Sequence, residues 1–207
     1  MQKHLSRRLI TEESLSNNSK LFAPFVGRNS DVLLYVSRGY MLIRAEKEND
    51  RDAVYAVNAS AFETLSEANL VDTLREQAHP VVSLVAEDNG EVVGHILFSP
   101  VFLPGYPDLK AMGLAPMAVT PEHQREGIGS ALVRAGLERC KQQGFTAVVV
   151  LGHSDYYPRF GFSPSSQFGI DSEYEVPDEA FMAMELEPGA LNGKTGTVEY
   201  HAASSNL

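Results

Sequence analysis

The chain has 207 residues, 43% of them hydrophobic and 21% charged, a composition typical of an ordinary globular protein and not of a disordered or fibrous one. With 17 Lys and Arg against 27 Asp and Glu, the formal net charge is −10, which argues against binding to nucleic acid or to an anionic membrane. The single cysteine, Cys140, excludes an internal disulfide and a cysteine-based zinc site, and no apolar run approaches the ~18 residues of a membrane-spanning helix, so we expect a cytoplasmic protein.

Charge divides the chain near residue 40. Residues 1–40 carry six Lys and Arg against three Asp and Glu, whereas residues 41–207 carry 11 against 24. The first segment has no sustained hydrophobic period, so we expect a peripheral N-terminal extension over 1–40 and a single domain over 41–207. Because Met41 opens the first clear strand pattern, we also hypothesise that the native protein starts there.

The first part of the domain alternates between strand and helix patterns. The predicted elements are a strand at 41–45, helices at 53–62 and 68–77, and strands at 81–87 and 91–101. Asn89-Gly90 between the last two strands is the strongest short hairpin signal, so we expect those strands to be antiparallel. A connection rich in Pro and Gly then leads to an apolar strand at 111–119.

A strand, loop, helix and strand unit follows. The helix begins near Ile128 and ends before Gly144, and the strand Ala147–Leu151 is a β-branched run typical of a parallel strand covered on both faces. The residues expected on the buried helix face are Ile128, Ala131, Leu132, Ala135 and Gly136. We therefore expect a right-handed crossover between two parallel strands.

The loop before this helix has the chemistry of an anion site. Gly127 and Gly129 let the backbone approach a ligand closely, and the helix N-terminus leaves N–H groups without partners, which suits a phosphate. A bare G-x-G is more often only a tight turn into a helix. The dinucleotide fingerprint and the Walker A pattern both fail, because Leu132 stands three residues after Gly129 and no Lys-Ser/Thr follows.

Two motifs in this region resemble the GNAT superfamily of acyl-CoA-dependent N-acetyltransferases. Gln124-Arg125-Glu126-Gly127-Ile128-Gly129 matches the family's Q/R-x-x-G-x-G/A loop, and the segment YYPRFGF at 156–162 resembles its F-Y-x-x-x-G-F segment. The resemblance covers roughly residues 41–203 and is closest to a bacterial subgroup of predicted acetyltransferases. It implies an α/β fold with a mixed, splayed sheet of six to seven strands flanked by about four helices.

The resemblance also implies acetyl-CoA as the acetyl donor and no metal. In the family, the strand before the loop carries a bulge and splays from the next parallel strand, which accounts for Pro116, a residue expected only at an edge or a bulge. Backbone groups of 117–119 would then contact pantetheine, and 124–130 would hold the pyrophosphate with Arg125 as the only cation. The cofactor-binding residues so implied are Met117, Ala118, Val119, Gln124, Arg125, Glu126, Gly127, Ile128, Gly129 and Ser130. The side chains of Met117 and Val119 are equally consistent with core packing.

The expected reaction is attack of a primary amine on the acetyl thioester without a covalent enzyme intermediate. Deprotonating an amine with a pKa of ~10.4 costs about 4–5 kcal/mol at pH 7, and the departing thiolate needs a proton or a strong donor. By resemblance, Tyr157 is the general acid, although an aromatic residue packed on the core is a serious alternative. Tyr156 should point elsewhere.

No general base can be named, because the strand 111–119 contains no carboxylate or histidine. The candidates are Asp155, His153, Glu67, Glu63 and Asp108, each acting through water. For each, a structural interpretation is stronger, such as Asp155 capping a helix at 156–160. The remaining histidines are too scattered to suggest a metal site.

The predicted function is that of an N-acetyltransferase that acts as a monomer or homodimer on an unidentified amine. The alternative is a non-catalytic acyl-CoA-binding regulatory domain that keeps the loop and lacks a working base.

Overall fold

The computed structural model describes residues 41–206 and the backbone of residues 25–26, 32–36 and 39–40. Three α-helices lie in this part of the chain: α1 (Arg51–Ala61), α2 (Ser66–Gln77) and α3 (Ile128–Gln142). Its strands are β1 (Phe25–Val26), β2 (Val32–Val36), β3 (Gly39–Ala45), β4 (Val82–Asp88), β5 (Glu91–Val101), β6 (Ala111–Val119), β7 (Ala147–Leu151), β8 (Ser163–Pro164), β9 (Ile170–Ser172), β10 (Phe181–Glu185) and β11 (Gly196–Val198). None of the helices in these described residues combines the length and the apolar character needed to cross a membrane.

Nine strands form one sheet in the order β1-β2-β3-β4-β5-β6-β7-β10-β8. Neighbours are antiparallel except β6 and β7, which are parallel and connected through α3. β1 and β8 have only two residues each, so seven strands carry the sheet, and β9 pairs separately with β11. The predicted mixed, splayed α/β fold is confirmed. It has three α-helices instead of about four, because the helix expected at 156–160 is a 3-10 turn, Tyr157–Phe160.

Most of the predicted extension, residues 1–40, lies outside the described residues. Within it, β1 pairs with β2, and β2 pairs with β3 from Val32 opposite Ile43 to Val36 opposite Gly39. β3 begins at Gly39, so the boundary set at residue 41 falls inside a strand.

Helices cover both faces of the sheet. On β5, Ile96 and Phe98 pack in the same cluster as Leu132 of α3, whereas Leu97 packs in the cluster of Leu74 from α2. A strand buried on both faces needs apolar residues at successive positions, which explains the near-continuous apolar run of β5. Each large side chain buried in this way contributes roughly 1.5–3 kcal/mol.

A buried ion pair fixes the connection from β3 into α1. The guanidinium of Arg44 donates to both carboxylate oxygens of Asp50, at 2.6 and 2.9 Å, and to Glu87 of β4 at 2.7 Å. The pKa of Asp50 is lowered, chiefly by its hydrogen bond with Arg44. Because the charges are paired and hydrogen-bonded, their burial is tolerated and the turn before α1 is held against the sheet.

The contact between α3 and the sheet depends on a residue without a side chain. A β-carbon added at Gly136 would lie 2.2 Å from Cε2 and 2.6 Å from Cζ of Phe98, a fully buried residue of β5. Gly136 therefore sets how closely the helix approaches β5. Of the helix face predicted from the sequence, Ile128, Leu132 and Gly136 are buried, whereas Ala131 and Ala135 are partly buried and pack against the same core cluster.

We expect Gly136→Ala to destabilise the fold by about 1–3 kcal/mol, because overpacking against Phe98 outweighs the ~1 kcal/mol that alanine gains in helix propensity. Denaturant unfolding of the full chain measures this. Glu138→Ala, at an exposed position of the same helix, is the control and should stay within about 0.5 kcal/mol of the parent. Adding Phe98→Leu to Gly136→Ala should recover part of the loss. An equal or higher stability of Gly136→Ala would contradict the close contact.

Candidate active site

β6 separates from β7 halfway along its length. The two strands pair from Ala111 opposite Ala147 to Leu114 opposite Val150, after which β6 continues to Val119 without β7 beside it. We call the space beyond Leu114 and Val150 the gap. The backbone of β6 that faces the gap lacks a strand partner on that side.

A bulge in β6 lies where the separation begins. Leu114 is opposite Phe98 of β5 and Met117 is opposite Ile96, so the two residues between them, Ala115 and Pro116, face the single residue Leu97. An extra residue bends the strand that carries it and increases its twist. The prediction that Pro116 lies at a bulge is confirmed.

The pairing of β5 with β6 fixes which backbone groups face the gap. The N–H of Thr120 donates to the carbonyl of Val93 at 2.9 Å, so this opposed pair is hydrogen-bonded. Hydrogen-bonded pairs alternate along an antiparallel ladder, which directs Ala118 towards β5 and turns Met117 and Val119 towards the gap. Accordingly, the carbonyl of Val119 accepts from the side-chain amide of Gln124 at 3.1 Å.

Residues 124–130, the glycine loop, lead into α3. Arg125 and Gly127 have φ values of 65° and 90°, and the first helical hydrogen bond runs from the N–H of Ala131 to the carbonyl of Gly127 at 3.0 Å. The N–H groups of the helix's first three residues therefore have no acceptor within the helix. Together with the helix dipole they form a site that favours an anion.

The gap and the glycine loop open into one cavity of about 480 Å³, which we call the cleft. Its lining residues are Ala61, Phe62, Met117, Ala118, Val119, His123, Gln124, Arg125, Gly127, Ile128, Gly129, Ser130, Tyr156 and Arg159. The structure therefore brings together every cofactor-binding residue expected from the sequence except Glu126, which does not line the cleft. The lining residues that were not among the expected ones are Ala61, Phe62, His123, Tyr156 and Arg159.

The two glycines of the loop meet different requirements. Gly127 has a left-handed φ and nothing within 4 Å of an added β-carbon, so its conformation is what demands glycine. At Gly129, an added β-carbon would lie 3.0 Å from the sulfur of Met117 and 3.1 Å from the hydroxyl oxygen of Tyr156. Close approach of β6 and of the tyrosine ring therefore demands glycine there.

The two adjacent tyrosines lie in different surroundings. Tyr157 is buried, with its ring edge-on to Tyr156 at 5.2 Å and to Phe162 at 5.7 Å, and it does not line the cleft. Burial raises the pKa of Tyr157 to about 12. Contrary to the expectation that Tyr156 points elsewhere, it is Tyr156 that lines the cleft, and its hydroxyl lies 3.3 Å from the hydroxyl of Ser130.

The residues considered as general base do not line the cleft. His153 and Asp155 are exposed and lie just before the 3-10 turn Tyr157–Phe160. Glu63 and Asp108 are exposed in other loops, and Glu67 is partly buried near Thr64. The N-cap position of the turn is Tyr156, so Asp155 does not cap it. Within the described part of the chain, no group of three His, Cys, Asp or Glu side chains is arranged to hold a metal ion.

The cleft contains a second cation besides Arg125. The guanidinium of Arg159 lies 4.7 Å from the centre of the Tyr156 ring and donates to the carbonyl of Asp155 at 3.1 Å. A similar stack, Arg134 over Phe160 at 5.1 Å, does not line the cleft.

A polar network that no sequence motif indicated lies next to β6. His95, fully buried on β5 opposite Ala118, accepts at Nδ1 from Asn58 at 3.1 Å, because the same amide nitrogen donates to the carbonyl of Val54. Its Nε2–H then donates to Ser83 at 2.9 Å, and Ser83 donates to the carboxylate of Glu46. Glu46 in turn accepts from Arg75 at 2.5 Å. Burial, aided by the charge of Arg75, lowers the pKa of His95 to about 3 and keeps it neutral.

Comparison with known proteins gives a consistent result. The sequence pattern that defines the acetyltransferase (GNAT) family matches residues 46–162. An N-acetyltransferase named YhbS from Escherichia coli K12 is 40% identical over 162 residues, which are 78% of this chain and 96% of the relative.

Two solved structures also resemble the chain. A crystal structure of E. coli YhbS in complex with CoA superposes with a TM-score of 0.75 and 38% identity, over 79% of this chain and 91% of that chain. A GNAT family acetyltransferase from Brucella melitensis in complex with acetyl-CoA gives a TM-score of 0.66 and 35% identity, over 79% and 97%. Both neighbours therefore carry CoA or acetyl-CoA.

We expect the free energy of unfolding to fall as the pH drops below about 6.5, because the unfolded chain then binds a proton that His95 excludes when folded. The loss runs towards pH 3 at up to about 1.4 kcal/mol per pH unit. Denaturant melts at pH 7.5, 6 and 5 measure it. His95→Gln should reduce the slope of the unfolding free energy against pH by the contribution of one bound proton. His153→Gln, at an exposed site, should leave that slope unchanged. A ring signal of His95 that titrates between pH 7.5 and 5 in an NMR experiment would contradict the assignment without any variant.

Proposed function

The chain belongs to the acetyltransferase (GNAT) family and is an N-acetyltransferase, and from that premise we propose that it transfers the acetyl group of acetyl-CoA to a primary amine. The observation that carries the proposal is the junction of the gap with the glycine loop in one cleft. The glycine loop supplies an anion site. The gap supplies unpaired backbone groups along the last part of β6, which leads into that loop. Both features suit a long ligand that is charged at one end.

We assign the parts of acetyl-CoA to the cleft as follows. The pyrophosphate lies on the glycine loop, where helix N–H groups and Arg125 provide the positive potential. The pantetheine arm runs along β6, with the backbone of Met117 and the N–H of Val119 offering hydrogen bonds, since the ladder directs Ala118 towards β5 and the carbonyl of Val119 accepts from Gln124. Ala118 then contributes a small side chain to the wall of the cleft and no backbone contact.

The proposed reaction is a direct transfer. The amine nitrogen attacks the thioester carbonyl carbon and forms a carbon–nitrogen bond, and a backbone N–H in the gap stabilises the resulting oxyanion. The carbonyl then re-forms as the carbon–sulfur bond breaks. The amine proton passes to water, since none of the five candidate bases lines the cleft and His123, which does, is hydrogen-bonded through Nδ1 to the hydroxyl of Thr120 at 2.9 Å. We take the proton donor for the departing thiolate to be Tyr157, which lies behind the cleft-lining Tyr156 with ring centres 5.2 Å apart, so this role requires the hydroxyl of Tyr157 to reach the cleft when the ligand is bound.

The environment of Tyr157 defines what this donor can do. A pKa of about 12 keeps the hydroxyl protonated at neutral pH. A thiol has a reference pKa near ~8.5, so complete proton transfer from Tyr157 to the thiolate is uphill by about 5 kcal/mol. The hydroxyl therefore acts mainly by donating a hydrogen bond to the thiolate, which is then protonated from water.

We further propose that the enzyme works in the cytoplasm, since its single cysteine excludes an internal disulfide. We also propose that it is a monomer or a homodimer. The acceptor is a primary amine, whose cationic form suits the acidic domain.

We expect Tyr157→Phe to lower kcat by about a hundredfold with little change in acetyl-CoA affinity, because the ring still packs while the donor is lost. Pre-steady-state kinetics under conditions where the chemical step limits the rate provide the measurement. The control is Tyr200→Phe, which removes a buried hydroxyl that has no hydrogen-bond partner among the described residues. An unchanged kcat in Tyr157→Phe would refute the donor role.

We expect Gly127→Val to weaken acetyl-CoA binding by at least about tenfold, because a β-branched residue does not hold the left-handed φ that shapes the loop. Isothermal titration calorimetry measures the affinity. Gly144→Val is a matched control, since Gly144 follows the other end of α3 with φ of 82° and equally open surroundings. Both variants should lose similar stability. Parent-like affinity in Gly127→Val would reject the assignment of the pyrophosphate to this loop.

A further inference from the structure

Arg159 is a cation in the cleft without an acidic partner. It lies in the 3-10 turn after β7, and its contacts are the ring of Tyr156 and the carbonyl of Asp155. No carboxylate of the described residues forms an ion pair with it, although residues 41–207 carry 24 Asp and Glu against 11 Lys and Arg. A cation kept apart from so many carboxylates, on the wall of a cavity, is available to an anionic ligand.

Tyr156 holds this cation in place. Its ring meets Tyr157 at 5.2 Å and Phe160 at 5.3 Å, both edge-on, and its hydroxyl lies 3.3 Å from that of Ser130. The ring is therefore fixed between the aromatic core and the first turn of α3. A guanidinium stacked on a fixed aromatic face loses little rotamer freedom when it binds, since it is already oriented.

The ring also relates Arg159 to the anion site. Tyr156 carries the guanidinium on its face at 4.7 Å and reaches Ser130, the third residue of α3, with its hydroxyl. Arg159 and the unpaired N–H groups of the helix start consequently border the same cleft. Positive charge from both sources adds at an anion between them, and a guanidinium binds phosphate oxygens with paired hydrogen bonds.

We propose that Arg159 binds a phosphate group of coenzyme A, with Tyr156 as the residue that positions it. The inference rests on the proposed function, because it takes the ligand of the cleft to be acetyl-CoA. The shared chemistry is a phosphate oxyanion, which belongs either to the diphosphate or to the 3′-phosphate of the ribose. Arg134 provides the contrast, because it stacks on Phe160 in a similar way and does not line the cleft.

Calorimetric titration of the full chain with CoA and with dephospho-CoA tests the proposal. Arg159→Met keeps an apolar stem over Tyr156 and should weaken CoA binding by about tenfold. Arg134→Met is the matched control and should bind CoA as the parent does. Arg159→Lys retains the charge without the planar fork and should fall between the parent and Arg159→Met. Unfolding midpoints of all variants establish that the fold is intact.

The two ligands identify the phosphate. A loss with CoA that vanishes with dephospho-CoA assigns Arg159 to the 3′-phosphate, and a loss with both assigns it to the diphosphate. Parent-like affinity of Arg159→Met for both ligands overturns the proposal, as does an equal loss in Arg134→Met. Failure of the unaltered chain to bind CoA at all would overturn the proposed function itself.

The role of Tyr156 has its own readout. Tyr156→Phe keeps the ring, so Arg159→Met should weaken CoA binding as much in the Tyr156→Phe background as in the parent. Tyr156→Leu removes the ring and should weaken CoA binding in the parent but add little in the Arg159→Met background, because the two residues act as one unit. Full additivity of Tyr156→Leu and Arg159→Met would show that the ring does not position the guanidinium.

Discussion

The architecture of the cleft depends on one constraint of strand pairing: beyond Leu114, β6 pairs with β5 and no longer with β7. The bulge at Ala115 and Pro116 changes the register with β5, and β7 ends soon after the last pair. A proline has no N–H to give to a ladder, so its place at the bulge sacrifices no additional hydrogen bond. The separation leaves backbone groups of β6 unpaired in the interior of the sheet.

The contact between α3 and β5 sets where the glycine loop lies relative to the gap. Phe98 fits against Gly136 of α3, so the helix is held close to β5 and its N-terminus has a defined position beside the gap. The proposed ligand is an anion in a domain rich in carboxylates, and global charge alone argues against it. Its site is built from N–H groups, a helix terminus and a few cations, whose fields dominate within the ~8 Å over which charges act at physiological salt.

Much of this could be predicted from the sequence, because the signals were local. Asn89-Gly90 marked the hairpin, Pro116 marked the bulge, and the glycine loop marked the helix start. The network of His95 and Ser83 could not be predicted, because a second bulge, at Val93, shifts the register of β4 and β5 by one residue. Without that shift, His95 would lie opposite Leu84 and Ser83 would occupy the other face.

The position of Arg159 was hidden for a different reason. It depends on a turn packed against α3 through aromatic rings, and contacts between elements distant in sequence leave no period or spacing to detect. The same holds for Tyr156 and Tyr157, whose different surroundings follow from tertiary packing and not from their adjacency.

The pairing of β2 with β3 determines which strand edge of the sheet is open to other molecules. Met41 and Ile43 of β3 are buried, and β2 occupies the outer hydrogen-bonding edge of that strand. A chain started at Met41 would lack β2 and the first two residues of β3, and would present a bare edge of apolar strand on which another molecule's strand could build. The backbone of β2 thus covers an edge of β3 that would otherwise be open to a strand of another molecule.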